Sequence, residues 1–288
     1  MISRMKNISL FLSLLFSLHL HAQYYYNDIL GTLETNRQMK TYQTNKIKTV
    51  SATGYDKQGV KASDFSEFQE VKENRMDLKI SSFNSLTKTV IYSRFDSQGR
   101  IISSTDSSTS IQSITNYDYD TGGKIIRVQN ITKDASNDFS QTETHQWIYN
   151  SAGKPEKMWR IISTGTAGAA DSLEIRFITD DNNNTAEERT FRKRIETGYL
   201  YYYYDDKNRV TDIVRYNSKL KKLLPDFMFE YDDSDRVVQK ITTTSNRNLG
   251  YLIWRYIFDA KGLKIKEALF NDDKELTGKI EYSYTFAQ

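Results

Sequence analysis

Side chains able to do chemistry are scarce in this 288-residue chain. It has no Cys and three His, of which His19 and His21 fall in a leader-like segment. Zero Cys removes thiol nucleophiles, zinc–thiolate sites, Fe–S clusters and disulfides. That leaves His145 as the one imidazole able to act as a general base or to anchor a hydrolytic triad. It lies in a polar stretch before Trp147 and reads as a satisfied surface His. One His cannot build a two-His metal site, so no catalytic residue, metal ligand or cofactor is assigned and the chain is expected not to be an enzyme. Asp180-Asp181-Asn182-Asn183-Asn184 has calcium-ligand residue types, but an EF-hand needs Gly and Glu where Thr185 and Phe191 stand. No phosphate-cradling Gly-rich motif is present. Paired carboxylates for glycoside hydrolysis are the enzymatic alternative, a weak one, because 37 acidic residues supply such pairs on almost any surface.

The local excess is aromatic. Tyr199-Leu200-Tyr201-Tyr202-Tyr203-Tyr204 puts rings on both faces of a strand. One face must pack, and a second would be free to stack on a ligand. Tyr199, Tyr201, Tyr202, Tyr203 and Tyr204 are therefore the candidate binding residues, with glycan, peptide or another envelope protein as the partner classes. The bland alternative is a central strand packed on both faces.

The elements that must position these residues come from a repeat. Aromatic, Asp or Asn, two residues, then Gly, Asn or Asp recurs with its acidic or amide position at 56, 96, 120, 150, 180, 205, 232 and 259. The last copies are separated by near-constant steps, whereas residues 56 and 96 are 40 apart, room for an eroded unit or an insertion. Asp or Asn opens a type I turn by accepting from N–H groups ahead of it, and the residue three on tolerates positive φ. Each copy is therefore expected to be a hairpin tip with a bulge. The register follows: Asp96 closes on Arg100, Asp120 on Lys124, Asp205 on Arg209 and Asp232 on Arg236. One step inward, Phe95 faces Ile101, Tyr119 faces Ile125, Tyr204 faces Val210 and Tyr231 faces Val237. Such aromatic and β-branched pairs favour a sheet without any ligand. Second loops are expected at Asp134–Asn137, Gly165–Asp171, Asn217–Lys222 and Ser245–Gly250. Pro155 and Pro225 are expected at a tip and at a loop end.

Residues 1–22 read as an export signal: Arg4 and Lys6, the apolar run Ile8 to Leu20, then Ala22. Without Arg4 and Lys6 the 40 basic residues become 38 against 37 acidic, a net charge near +1 that gives no footprint for nucleic acid. Residues 23–50 form an N-terminal segment with a short helix over 27–40, capped by Asn27 or Asp28, with Ile29, Leu30, Leu33 and Met39 on one side. Residues 51–288 form one antiparallel β domain. The fold class is all-β: repeated antiparallel hairpins in one large twisted or curled sheet, its edges protected by the N-terminal segment and the charged last strand.

The strings Tyr117-Asp118-Tyr119-Asp120-Thr121-Gly122-Gly123-Lys124-Ile125 and Phe95-Asp96-Ser97-Gln98-Gly99-Arg100-Ile101 resemble the YD repeats of the RHS family. The likeness covers roughly residues 50–265 and implies antiparallel β-sheet. The chain departs from that family in having few copies, longer spacing and no C-terminal effector after Tyr282–Gln288, which argues against a sealed shell. It is also similar to the small exported YD-repeat proteins of Bacteroides-like bacteria, whose function is unknown. The resulting expectation is an exported, non-enzymatic β-repeat protein, a binding or structural module of the periplasm, cell surface or medium. An outer-membrane β-barrel is the alternative, opposed by charges on both faces of many strands.

Overall fold

The computed structural model describes residues 24–72, 76–84, 87–107, 111–134, 136, 139–164, 170–217, 220–243 and 250–288. The expected leader and most of the second loops fall outside them. One helix, α1 (Asn27–Thr44), precedes eighteen strands. These are β1 (Ile47–Asp56), β2 (Lys61–Val71), β3 (Asp77–Asn84), β4 (Thr87–Phe95), β5 (Ile101–Ser107) and β6 (Ile111–Tyr119). Next come β7 (Ile125–Asp134), β8 (Ser140–Tyr149), β9 (Pro155–Thr164), β10 (Asp171–Thr179), β11 (Thr185–Arg192) and β12 (Ile195–Tyr204). The last are β13 (Val210–Asn217), β14 (Lys222–Tyr231), β15 (Val237–Thr243), β16 (Tyr251–Phe258), β17 (Lys264–Phe270) and β18 (Leu276–Phe286).

Turn chemistry sets the hairpins. At Asp96 the backbone N–H donates to the Arg100 carbonyl at 2.8 Å and Gly99 N–H returns to the Asp96 carbonyl at 3.0 Å. Asp96 Oδ1 accepts from Gln98 N–H and Arg100 N–H, both at 2.9 Å. Gly59, Gly99, Gly123, Gly153, Asn183, Asn208, Asp235 and Gly262, the fourth residues of the eight copies, all have φ between 60° and 83°. The inward pairs Phe95–Ile101, Tyr119–Ile125, Tyr204–Val210 and Tyr231–Val237 form in the expected register. Three of the four charge pairs close as ion pairs at 2.6–2.7 Å. Lys124 instead lies over the Tyr149 ring, 5.4 Å from its centre. A further tip of the same geometry joins β17 to β18, where Asn271 Oδ1 accepts from Glu275 N–H at 2.8 Å and Lys274 has φ 62°. Lys at its fourth position hid it from the repeat pattern. Pro225 lies inside β14 rather than at a loop end, beside an irregularity in the β13–β14 register where its missing N–H is tolerated.

The open sheet is overturned. Each strand pairs antiparallel with the next, and β18 pairs back with β1 over Val50–Tyr284, Ala52–Tyr282 and Gly54–Ile280. The sheet is a closed barrel with no edge to protect. Closure pairs backbone groups that an open sheet would leave bare on its two outer strands. The 40-residue step is one extra strand, because β2, β3 and β4 separate the tips at Asp56 and Asp96 while two strands separate each later pair. The Asp56 tip therefore lies at the opposite end from the other seven.

Those seven tips form a linked rim. Arg209 donates to Asp232 O at 2.9 Å and to Asp235 Oδ1 at 2.8 Å, and Asn184 donates to Asn208 Oδ1 at 2.7 Å. The repeat Tyr of this rim also reach the preceding unit: the hydroxyls of Tyr119, Tyr149, Tyr204 and Tyr231 donate to the carbonyls of Ile101, Ile125, Thr185 and Val210 at 2.7–2.8 Å.

An eighteen-strand ring is too wide for its wall side chains alone to fill. α1 lies along the tip rim and closes that end. Asn36 Oδ1 accepts from Ile101 N–H at 2.8 Å, Arg37 donates to Asp235 O at 2.6 Å, and Asn45 donates to Lys261 O at 3.2 Å. Its fully buried residues are Asp28, Thr32, Met39 and Tyr42; of the expected apolar side, Met39 is buried and Ile29 and Leu30 pack against the cores, while Leu33 is 59 % exposed. The helix meets an interior that is partly polar, so Asp28 and Thr32 are buried beside its apolar residues. Tyr25, Met39 and Tyr42 join Val50, Phe95, Tyr117, Trp147, Met158 and Ile175 in the main core. A second core of Leu200, Tyr202, Val210 and Ile213 packs against Tyr24, Tyr26 and Leu30.

Candidate functional site

Strand pleating divides the five candidate Tyr. Tyr202 and Tyr204 point into the barrel, and Tyr199, Tyr201 and Tyr203 point out. Tyr202 is buried and its hydroxyl donates to Glu188 Oε2 at 2.7 Å. Tyr204 donates to the Thr185 carbonyl. Outside, Tyr199 stacks on Tyr216 at 5.5 Å and 4° and meets Tyr201 edge-on at 5.6 Å. Tyr203 is 46 % exposed. The five residues therefore do not form one surface, and the two inner rings serve packing.

The polar centre of the barrel lies where the chain enters α1. Tyr25 N–H and Tyr26 N–H donate to the two oxygens of Glu188 on β11, at 3.1 and 3.0 Å. Burial lifts the Glu188 carboxyl to a pKa of about 7, although those N–H groups and Tyr202 pull it down. Two residues into the helix, Asp28 Oδ2 meets His145 Nδ1 at 2.7 Å and accepts from the Trp147 indole at 3.0 Å. The other imidazole nitrogen lies 2.9 Å from Glu143 Oε1, and Glu143 is held by both ends of the Arg160 fork at 2.7 and 2.8 Å.

His145 is thus buried, not the surface residue expected. Its row on β8 runs Gln141, Glu143, His145, Trp147, Tyr149, and that whole row faces inward. Burial by itself pushes the imidazole pKa down, but Asp28 and Glu143 outweigh it and raise it to about 9. Burial likewise pushes Glu143 up, and His145 with Arg160 brings it down to about 2. At neutral pH the ring is an imidazolium with both N–H groups given to carboxylates. It has no free lone pair and cannot act as a general base. The arrangement fastens the start of α1 to the wall. Sequence reasoning missed Asp28, Glu143, Arg160 and Glu188. The spacing of Glu143, His145 and Trp147 on one strand face was the available signal, but the partner on α1 is more than a hundred residues away in sequence.

The outer wall is polar at mid-strand. On β10, Glu174 and Arg176 alternate with buried Leu173, Ile175 and Phe177. Glu174 pairs with Lys157 at 3.1 Å and with Arg176 at 2.9 Å. Arg189 pairs with Glu187 on β11, Lys279 with Glu281 on β18, and Arg127 on β7 with Asp118 on β6. Exposed Phe68, Phe83, Tyr92, Ile148 and Ile178 are scattered among them. Among the described residues no helix is long and apolar enough to cross a membrane, which says nothing of strands, and no group of three or more His, Asp or Glu is placed to hold a metal.

No family model and no curated protein matches the chain. Solved structures similar to it include a porin-like protein from Bacteroides uniformis, 8 % identical, with a TM-score of 0.37 over 83 % of this chain and 98 % of that one. A porin-like protein from Bacteroides vulgatus is 11 % identical with a TM-score of 0.30 over 83 % and 98 %. The Photorhabdus luminescens Tc holotoxin pore is 10 % identical with a TM-score of 0.30 over 84 % of this chain and 17 % of that one. Likeness at this level assigns no activity, ligand or location.

Proposed function

We propose that this protein is an exported β-barrel of the cell envelope, with its wall in water and its lumen, closed at one rim by α1, as the working surface. It would be a binding module rather than a pore or an enzyme. The observation that carries this reading is the wall. A lipid-facing band is apolar over about 25 Å, and a cationic residue at its middle costs roughly 2–4 kcal/mol. Here Glu174 with Lys157 and Arg176, Arg189 with Glu187, and Lys279 with Glu281 occupy that level as mutual partners. α1 and the residues beneath it fill the tip end, so a through-channel would require their displacement. Kinship with YD repeats and export through the 1–22 leader belong to the same proposal, supported by the recurring tips and by the leader's charge and apolar run.

A second reading is an outer-membrane barrel. Closure of all eighteen antiparallel strands favours it over the open sheet, because only a closed barrel lets strands cross a bilayer. Fractionation decides between the two. Expression with the leader, followed by osmotic release and ultracentrifugation without detergent, is expected to leave the protein in the supernatant. Recovery only from detergent-extracted outer membrane would overturn the water-facing wall and establish the second reading.

A further inference from the structure

β15, β16 and β17 turn toward the lumen a set of polar groups that no described residue answers. Register places Lys240 opposite Trp254, and Tyr256 opposite Glu267, in two adjacent rows. Glu267 is 1 % exposed. Its Oε2 accepts from Tyr282 hydroxyl at 3.0 Å and Lys264 ammonium at 3.2 Å, while its Oε1 has no partner. Among the described residues the Lys240 ammonium, the Trp254 indole N–H and the Tyr256 hydroxyl also lack a hydrogen bond or ion pair. Lys240 lies only over the Phe227 ring, 5.1 Å from its centre. The buried, unpartnered Glu267 oxygen departs from the near-complete satisfaction of protein interiors, and three solvent-reached donors stand beside it on the neighbouring strands β15 and β16. Lys240, Trp254 and Tyr256 are each only partly buried. Protein nonetheless surrounds Lys240 closely enough that burial lowers its pKa, which Glu267 only partly offsets. Lys240 therefore stands on the inner wall, crowded by protein yet still reachable. Aromatic rings flank it, with Phe227 and Phe229 stacked at 6.3 Å on β14.

We propose that this patch of the inner wall binds an acidic sugar, its carboxylate on Lys240 and the Trp254 N–H, a hydroxyl donating to Glu267 Oε1, and a ring face against the aromatic side chains. Three donors and one acceptor call for a ligand rich in acceptors, carrying an anion and at least one O–H. Flat aromatic surface suits the apolar face of a pyranose. The proposal rests on the lumen being the working surface.

Isothermal calorimetry on the full folded chain tests it, with D-glucuronate, D-glucose and L-phenylalanine as probes. Saturable binding of D-glucuronate is expected, with D-glucose at least about ten-fold weaker and L-phenylalanine silent. Lys240→Met is expected to weaken D-glucuronate by at least about ten-fold. Tyr256→Phe and Glu267→Gln keep the volume of the side chain and are expected to weaken it about three- to ten-fold, so a poorly folding Lys240→Met does not decide the matter. Tyr203→Ser on the outer wall is expected to bind like wild type. No saturable heat, equal binding of D-glucose, preference for L-phenylalanine, or affinity indifferent to Tyr256→Phe and Glu267→Gln would each overturn the site. Detergent-free sedimentation of the same preparation separates that failure from a failure of the water-facing reading.

Discussion

Asp28→Asn isolates the contact that fastens the helix to the wall. The substituted amide keeps an oxygen for the Trp147 indole and for His145, so the loss is one charge and almost no volume. The magnitude follows from His145, whose pKa rises from 6.5 in the unfolded chain to about 9 in the fold. At about 1.4 kcal/mol per unit, that displacement is worth about 3 kcal/mol. Glu143 sits low for the same coupling seen from the other side, so its share is not added. Asp28 is the larger raising influence on His145, and removing its charge is expected to cost about 2 kcal/mol, or a fall in Tm of roughly 4–8 °C for a chain of this size. A folded pKa above the unfolded one means the stabilisation is complete below pH 6.5 and is lost as pH rises through about 9. The gap between wild type and Asp28→Asn is therefore expected to be widest near pH 6 and to narrow by pH 10. Circular-dichroism melts of both proteins across that range measure it directly. A gap of equal size at both ends, or one under about 1 °C near pH 6, would refute the imidazolium bridge.

Two further contrasts follow. Tyr202→Phe removes the hydroxyl from buried Glu188 and is expected to cost about 1–2 kcal/mol, whereas Tyr203→Phe on the outer wall should stay within about 0.5 kcal/mol. Urea midpoints compare the two, and a larger loss at Tyr203 would reverse the assigned faces of β12. At a tip, Asp232→Asn keeps the oxygen that accepts from Ser234 N–H and Arg236 N–H at 2.9 Å. It is expected to cost under about 1 kcal/mol, since it gives up only the ion pair, and Asp232→Ala about 2 kcal/mol, because only the latter strands two backbone donors. Equal losses in thermal melts would contradict the turn chemistry.

Local features of the fold are legible in the residues themselves. Asp96, Gly99 and Arg100 specify a tip through contacts at most four residues apart, so the hairpins, the bulges and the pairing of Phe95 with Ile101 can be read along the chain. Where one residue departs from the pattern, as Lys274 does, the same turn goes unseen. His145 shows the opposite case. Its spacing from Trp147 is visible, but its environment is made by Asp28, on an element more than a hundred residues away. On α1 the apolar side is legible in Ile29, Leu30 and Met39, but Leu33 of that side is exposed and Asp28 and Thr32 are buried, because the interior the helix meets is partly polar.

Strand content, the eight repeat tips and the register across them were readable along the chain, because each depends on hydrogen bonds among near neighbours. Composition likewise settled that no thiol chemistry is available. The folded barrel was needed to show that β18 closes on β1, that α1 stoppers the tip rim, and that the aromatic strand splits into inner and outer rings. It also placed Lys240, Trp254, Tyr256 and Glu267 on one patch of the inner wall. Those outcomes depend on groups far apart in the chain, and on how many strands lie between two tips: one extra strand between Asp56 and Asp96 moves that tip to the other end of the barrel.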